Sequence, residues 1–390
     1  MRLLRAKYIF DGLRLSVDKG VVIDGDIVVD VDGFSVLKRA YPDIDVVDYG
    51  EGVLFCGFVN AHTHIELTYT KNRIEPFGGF IRWLSSIMNI KSIDVDDKDI
   101  ERGINEAVKE IKGSGVFAVG DISNTLKTVN ILSSELPRSV VFCENYSLNL
   151  ERARGVVERL KREIEHINSF PVRVFVSPHS VYSSHPELMR FICNLPGIKS
   201  LHFLESEHER AFVCKKGELY GFLDGLGLVD CEFDYGDVWD YLKDVGCIKR
   251  GMLFVHAVFA NRDDFKKIKD IGGSVVLCPR SNWYISKKLP DVYKIRESGV
   301  NIAIGTDSLS SNWDLDILKE IALIKQAFPL IDSEELFGWV SSGGAKALGI
   351  RLGFFRGYYA RPYFLGASGS KPLDGILEEK KRGLPPPFNA

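Results

Sequence analysis

An eight-stranded (β/α)8 TIM barrel carrying a small β-unit drawn from both chain ends is the fold class that the sequence predicts, and three observations predict it. From Val53 onward, short apolar runs alternate eight times with amphipathic stretches of helical period, the pattern of parallel strands joined by crossover helices. The first fifty residues read differently, as β-rich runs broken by Asp-Gly turns. No glycine-rich fingerprint follows the first repeating strand, and eight repeats suit closure better than a doubly wound open sheet. At 390 residues the chain has room for one large barrel with an appendage.

Residues 1–50 are assigned to the N-terminal part of the β-unit. Tyr8-Ile9-Phe10, Val21-Val22-Ile23 and Ile27-Val28-Val29 are β-rich, and Asp11-Gly12, Asp24-Gly25 and Asp32-Gly33 favour hairpin turns. So small an antiparallel unit buries little alone, so it is expected to pair with the other end of the chain. Residues 51–350 are assigned to the barrel. Its strands are expected near 53–60, 116–121, 139–145, 172–177, 199–204, 252–257, 274–278 and 301–306. Helices are expected near 79–90, 98–113, 151–168, 185–194, 207–215, 261–270, 290–299 and 314–326. The segment 216–250 is long for one connection and is expected to form a helical insertion near the barrel mouth. A last helix near 341–348 leads into Leu352–Tyr359, expected to rejoin the N-terminal β-unit as a strand or two, so that residues 351–390 supply its C-terminal part. The tail from Ser368, with Lys380-Lys381-Arg382 and Pro385-Pro386-Pro387, is expected to be peripheral and partly disordered.

Composition narrows the partners. Hydrophobic residues at 45% and charged residues at 26% are the balance of a soluble globular protein with an ample core. A net charge of −3, without a basic run, argues against nucleic acid. No apolar segment approaches membrane-spanning length, and the start, Met1-Arg2-Leu3-Leu4-Arg5, lacks the apolar core of a signal peptide. The seven cysteines (56, 143, 193, 214, 231, 247 and 278) are odd in number and form no Cys-x-x-Cys pair. They are expected to be buried small hydrophobes in a reducing cytoplasm, neither a disulfide framework nor a thiolate zinc site.

Chemistry gathers where apolar runs end. His62 and His64 flank Thr63 at the end of the first run, and period-two alternation turns both imidazoles to one face, suited to one divalent cation. His202 closes the fifth run, with Glu205 three residues on, a carboxylate placed for proton transfer beside a water. His256 ends the sixth run, as a core histidine or a water-orienting imidazole, and Asp307 follows the eighth. Asp307 alone reads as a turn former. Three imidazoles and a carboxylate at strand carboxyl ends are a different object, a metal set with room for a water. His179 ends the fourth run and is expected to face the same cavity as a substrate contact; His185 and His208 open helices and are expected at the surface.

Together, His62-Thr63-His64, His202-Phe203-Leu204-Glu205, His256 and Gly305-Thr306-Asp307-Ser308 resemble the amidohydrolase superfamily. Cys278-Pro279-Arg280-Ser281-Asn282, Ser310-Ser311-Asn312 and Phe80-Ile81-Arg82-Trp83-Leu84 resemble its deaminase and chlorohydrolase group, across about residues 50–350 in the right order. The resemblance implies a barrel with a sandwich built from both chain ends. It implies His62, His64, His202 and Asp307 as metal ligands, Glu205 as general acid and base, and His256 as hydrogen-bond partner of the attacking hydroxide, so that Glu205, His256 and Asp307 are catalytic. Two-metal relatives carry a lysine at the end of the fourth strand, where this chain has Ser177-Pro178-His179. One divalent ion is therefore expected, zinc first, with iron(II) or manganese(II) as alternatives. His179 is implied at the purine ring, and Trp83, Asn282 and Ser308 as further substrate contacts. Glu66 is either a pocket carboxylate or a polar residue leaving the strand.

His62–Leu67, the Trp83 segment and Thr306–Asn312 are most similar to the subgroup that deaminates 6-amino-6-deoxyfutalosine on the futalosine route to menaquinone. A purine nucleoside is thus the implied partner, in an enzyme expected to be cytoplasmic, and a homodimer is common in the family. Alternatives are deaminases of S-adenosylhomocysteine, methylthioadenosine or adenosine, and hydrolases of chlorotriazines, guanine or cytosine. Two features depart from the pattern. The usual Gly-x-Asp-Ala-Asp-type segment near the C-terminus is present only as Gly357-Tyr358-Tyr359-Ala360-Arg361, and no ribose-binding glutamate follows Trp83.

Overall fold

The computed structural model describes residues 1–93, 95–230 and 234–384, so Cys231 and the Pro385-Pro386-Pro387 run lie outside the described residues. Eight short strands form two four-stranded sheets, parallel throughout. The first holds Phe58–Thr63, Val116–Ser123, Val140–Asn145 and Arg173–Pro178, and the second Ser200–Phe203, Leu253–His256, Ser274–Leu277 and Asn301–Ile304. Two seams join them into a (β/α)8 barrel. At one, Ser180 bridges His202, with His202 N donating to His179 O at 2.9 Å. At the other, Thr63 bridges Asp307, and the amides of Thr306 and Asp307 both donate to His62 O at 3.0 Å. Asn60 reinforces this seam, its Nδ2 donating to Thr306 Oγ1 at 2.7 Å while its Oδ1 accepts from Thr306 N at 3.1 Å.

Period-two alternation divides each strand between two environments. Val141, Phe254, Val275 and Ile302 face outward and pack with helix residues such as Ile104, Leu160 and Ile321. Phe142, Val255, Val276 and Ala303 form an inner cluster that continues into the N-terminal sheets through Leu54 and Cys56. The helices begin where capping residues satisfy their first amides: Asp96 before Asp97–Gly113, Asn149 before Leu150–Asn168, and Asp316 before Ile317–Ala327. Asn261 and Asp264 form a reciprocal capping box that opens Arg262–Asp270.

Both chain ends contribute to the flanking sheets. One sheet runs in the order Ile27–Gly33, Lys19–Asp24, Arg2–Arg5, Asp45–Asp48; the other runs Tyr363–Gly366, Gly52–Phe55, Tyr8–Phe10, Leu15–Val17. The hairpin turns expected at Asp11-Gly12 and Asp24-Gly25 are present, since the strands on either side of each pair antiparallel. Asp32-Gly33 instead leads into the helix Phe34–Ala40.

Several expectations need correction. The apolar run 53–60 is two strands: Gly52–Phe55 belongs to a flanking sheet and Phe58–Thr63 to the barrel. Gly57 turns the chain between them at φ +109°, a conformation that side chains disfavour. Leu352–Tyr359 makes only isolated bridges, and the returning strand is Tyr363–Gly366. The tail carries an ordered helix, Pro372–Lys381, with Ile376 and Leu377 buried and Lys380 Nζ donating to Asp316 Oδ2 at 2.6 Å. Within 216–250, of which 231–233 lie outside the described residues, the helices are Gly217–Gly225 and Val238–Asp244. Cys193 and Cys247, 54 residues apart, are joined in a disulfide with Cα atoms 5.1 Å apart. That bond removes the argument from cysteines for a reducing compartment. His185, expected at the surface, is a buried N-cap whose Nδ1 accepts from Glu187 N at 3.1 Å. Among the described residues, no helix is long and apolar enough to cross a membrane.

Candidate active site

Each chemistry-bearing residue leaves the carboxyl end of a barrel strand, where this architecture places its sites. The backbone is bent to aim them. Leu204, His256, Ala257 and Asp307 adopt positive φ (48°, 74°, 52° and 58°), which is uncommon for non-glycine residues and recurs at functional sites. The structure brings His62, His64, His202, Glu205, His256 and Asp307 together. His64 Nε2 lies 3.3 Å and His62 Nε2 3.7 Å from Asp307 Oδ1. The His62 ring centroid is 5.0 Å from that of His64 and 4.8 Å from that of His202. His256 Nε2 lies 3.1 Å from His202 Nδ1 and 3.6 Å from Glu205 Oε1. All six residues are buried.

Burial sets their protonation. It pushes His62, His202 and His256 down to about 4 and His64 well below its ordinary range, so at neutral pH the imidazoles are uncharged and offer lone pairs. Burial opposes the ionised form of Asp307, but the facing His62, His64 and His256 hold it well below the usual carboxylate range. Glu205 is raised by burial to about 7, with His256 pulling it down and Asp307 pushing it up. A carboxyl group poised near neutrality is matched to proton transfer in both directions.

The donor set fits a divalent cation. Ligand atoms of His62, His64 and Asp307 lie within 4.8 Å of one another, as do those of His62, His202 and His256. Both ring nitrogens of His62 are buried without a hydrogen-bond partner. Leaving an imidazole in that condition is costly unless an ion takes its lone pair.

Neighbouring side chains hold these groups in place. Ser281 Oγ donates to Asp307 Oδ2 at 2.6 Å and Ser311 Oγ donates to the same oxygen at 3.1 Å, leaving Oδ1 to the histidines. Asn282 Nδ2 donates to His256 Nδ1 at 3.0 Å, so this residue orients the imidazole. Glu209 accepts from the amides of Leu204, Glu205 and Ser206 at 2.8, 2.7 and 3.1 Å, fixing the turn that carries Glu205.

The remaining expected contacts divide. His179 lies over His202 with ring centroids 4.4 Å apart, its Nδ1 engaged by the hydroxyls of Ser180 and Ser183 at 3.0 and 2.8 Å. Half-buried Trp83 donates from Nε1 to Ser310 O at 3.2 Å, on the loop after Asp307. Ser308 is buried with its hydroxyl paired to that of Ser310. Glu66 does not offer a free carboxylate: it accepts from Ser123 Oγ at 2.7 Å, Asn124 N at 2.6 Å and Thr125 Oγ1 at 2.9 Å, and so pins the loop after the second strand. A cleft of about 1220 Å³ lies away from this cluster, around Val300, Asn301, Trp339 and Lys346.

Sequence reading missed Glu144. It ends the third strand as His202 ends the fifth, is buried, and is raised by that burial to about 7. The strand-end rule that found the histidines applies to it equally.

The sequence matches the Amidohydrolase family over residues 53–361. It is 30% identical over 354 residues to an adenosine deaminase of Helicobacter pylori, covering 86% of this chain and 84% of that one. It is 26% identical over 360 residues to a 5-methylthioadenosine/S-adenosylhomocysteine deaminase of Pyrococcus abyssi, covering 87% and 79%. The fold superposes on the crystal structure of Helicobacter pylori aminofutalosine deaminase in complex with methylthio-coformycin, with a TM-score of 0.85, 27% identity, and coverage of 97% of this chain and 95% of that one. With the matched region spanning the strand-end histidines, Glu205 and Asp307, the chain belongs to the amidohydrolase family.

Proposed function

We propose that this amidohydrolase is a metal-dependent deaminase of a 6-aminopurine nucleoside, and that its substrate is 6-amino-6-deoxyfutalosine, hydrolysed to futalosine and ammonia. The carrying observation is Glu205: a buried carboxyl group near neutrality, with Oε1 unpartnered, set against neutral imidazoles and an ionised aspartate. His62, His64, His202 and Asp307 would hold a single divalent ion, zinc by donor type, with iron(II) or manganese(II) as alternatives. When bound, such an ion supplies a hydroxide at neutral pH by lowering the pKa of water from about 15.7 toward ~7.

The chain supplies the rest. Glu205 accepts a proton from the attacking water as its oxygen bonds to C6, and passes that proton to the ring nitrogen beside C6. It then carries the remaining hydroxyl proton to N6, so that the C6–N6 bond breaks, ammonia leaves and the 6-oxo group forms. His256, aimed by Asn282, presents Nε2 toward Glu205 Oε1, where the water must pass its proton. His179, stacked on His202, and Trp83, bonded to the loop after Asp307, would contact the purine. The relatives named as deaminases of adenosine, methylthioadenosine, S-adenosylhomocysteine and aminofutalosine support an adenine nucleoside. The Pyrococcus abyssi relative favours a second reading, in which methylthioadenosine or S-adenosylhomocysteine is the substrate.

The deciding experiment is turnover by zinc-loaded protein of 6-amino-6-deoxyfutalosine, adenosine, methylthioadenosine and S-adenosylhomocysteine, read as ammonia release. The highest kcat/KM is expected for the first. Inertness toward all four would remove the deaminase reading, and preference for a sulfur nucleoside would establish the second.

A further inference from the structure

We propose that Lys91 is a specificity-determining residue, the cation that receives a carboxylate carried beyond the sugar of the substrate. The proposal rests on the reading of this site as one for an adenine nucleoside, and deepens it by naming the charge at the substrate's far end.

Lys91 closes the helix Phe80–Lys91, which follows the first barrel strand and also carries Trp83. Lys91 is half-buried, and its Nζ donates to Asn124 Oδ1 at 3.0 Å. Nζ lies 5.2 Å from the centre of the Tyr146 ring, and that ring lies 5.8 Å from the ring of His179, which stacks on His202 at 4.4 Å. A continuous wall therefore runs from the candidate metal ligands, through His179 and Tyr146, to one ammonium group. Burial opposes the charge on Lys91, but Tyr146, Glu144 and Glu66 outweigh it and hold the group above the ordinary lysine range, so it is cationic at neutral pH. The charge reaches the site, since it adds to the effect of burial in lowering His64, His179 and His202.

The nearby carboxylates are engaged elsewhere. Glu66 accepts from Ser123, Asn124 N and Thr125. Glu144, which burial raises to about 7, gives Oε2 to Asn124 Nδ2 at 3.1 Å. The Asn124 amide thus stands between the ammonium and Glu144, in the one orientation that does not set donor against donor and acceptor against acceptor. An ammonium bonded to a neutral amide retains further N–H donors, and a carboxylate accepts them in charge-assisted bonds that a neutral group does not match. Tyr146 is 43% exposed, so this end of the wall opens to solvent and offers an aromatic face beside the cation. An aromatic carboxylate suits that pair. The substrates compared above differ in this respect: 6-amino-6-deoxyfutalosine ends in an aromatic carboxylate, S-adenosylhomocysteine in a zwitterion, and adenosine and methylthioadenosine in no charge. A competing role is that of internal counter-charge to Glu144 and Glu66, which would matter equally for every ligand.

The test uses the zinc-loaded full chain and calorimetric Kd values for futalosine, the 6-oxo product, and for its carboxyl methyl ester, so that no turnover is needed. The wild-type protein is expected to bind the acid about 10- to 100-fold more tightly than the ester, the value of a hydrogen bond to a charged group. Lys91→Met should erase that difference by weakening the acid alone, and Lys91→Arg, which keeps the charge, should preserve most of it. Equal affinities for acid and ester in the wild-type protein, or no measurable binding of either, would overturn the proposal without any variant. A Lys91→Met protein that loses affinity for both ligands alike would make Lys91 a counter-charge, which overturns it too. Preference for the acid in a protein that releases no ammonia from the 6-amino compound would uphold the proposal while removing the deaminase reading, so the two fail separately.

Discussion

Glu205 carries the proton traffic of the proposed reaction, and burial raises it to about 7. A carboxyl group already protonated cannot accept a proton from water, so log kcat/KM is expected to fall with unit slope below about pH 7 and to level off above it. Glu205→Gln keeps the shape of the side chain and removes its basicity. It should retain zinc and lose roughly 10²- to 10⁴-fold in kcat; near-normal turnover would exclude Glu205 as proton carrier. At this scale the sequence was a good guide, because His62, His64, His202, His256 and Asp307 stand out as polar residues that end apolar runs. Their supports were less legible. Ser281, Ser311 and Glu209 act through hydrogen bonds to residues that only the fold brings near, and Glu66 spends its oxygens on the loop after the second strand. The Cys193–Cys247 disulfide is of the same kind, since spacing holds no information about which cysteines meet.

Elements were legible where they were long and periodic. The helices Asp97–Gly113 and Leu150–Asn168 fall within a residue or so of their expected bounds, each marked by a side-chain cap. The run 53–60 misled because two buried strands in different sheets are both continuously apolar, and only the dihedrals of Gly57 separate them. Close approach matters as much as periodicity at the last strand. A Cβ on Gly305 would lie 2.7 Å from His62 O, 2.8 Å from His62 Cβ and 3.0 Å from His62 N. Both sides of that contact are barrel strands and neither can swing aside. Gly305→Ala is therefore expected to cost about 1–3 kcal/mol and to weaken zinc binding by displacing His62. A urea midpoint and zinc content equal to wild type would show that the seam has slack.

For the whole molecule, the barrel was foreseeable from eight repeats, whereas the packed helix Pro372–Lys381 within the tail was not. Its charged and proline-rich composition conceals Ile376 and Leu377, which the helix Pro372–Lys381 packs with the helix Ile317–Ala327 in the main core. Leu377 is 0% exposed, so Leu377→Ala should lower stability by about 2–5 kcal/mol and leave the kcat and KM of the folded fraction unchanged. A shifted KM at unchanged stability would instead tie this helix to the catalytic mouth.

The seam between the first and last barrel strands has a temporal consequence. Thr63 Oγ1 donates to Asp307 O across 244 residues, and His62 O receives the amides of Thr306 and Asp307. Made on a ribosome from its amino end, the polypeptide displays His62 and His64 long before the aspartate that completes them has been translated. A prematurely terminated product lacks the closing strand, so hydrolytic capacity arrives all at once, late in synthesis, and never in a fragment that stops short of Asp307.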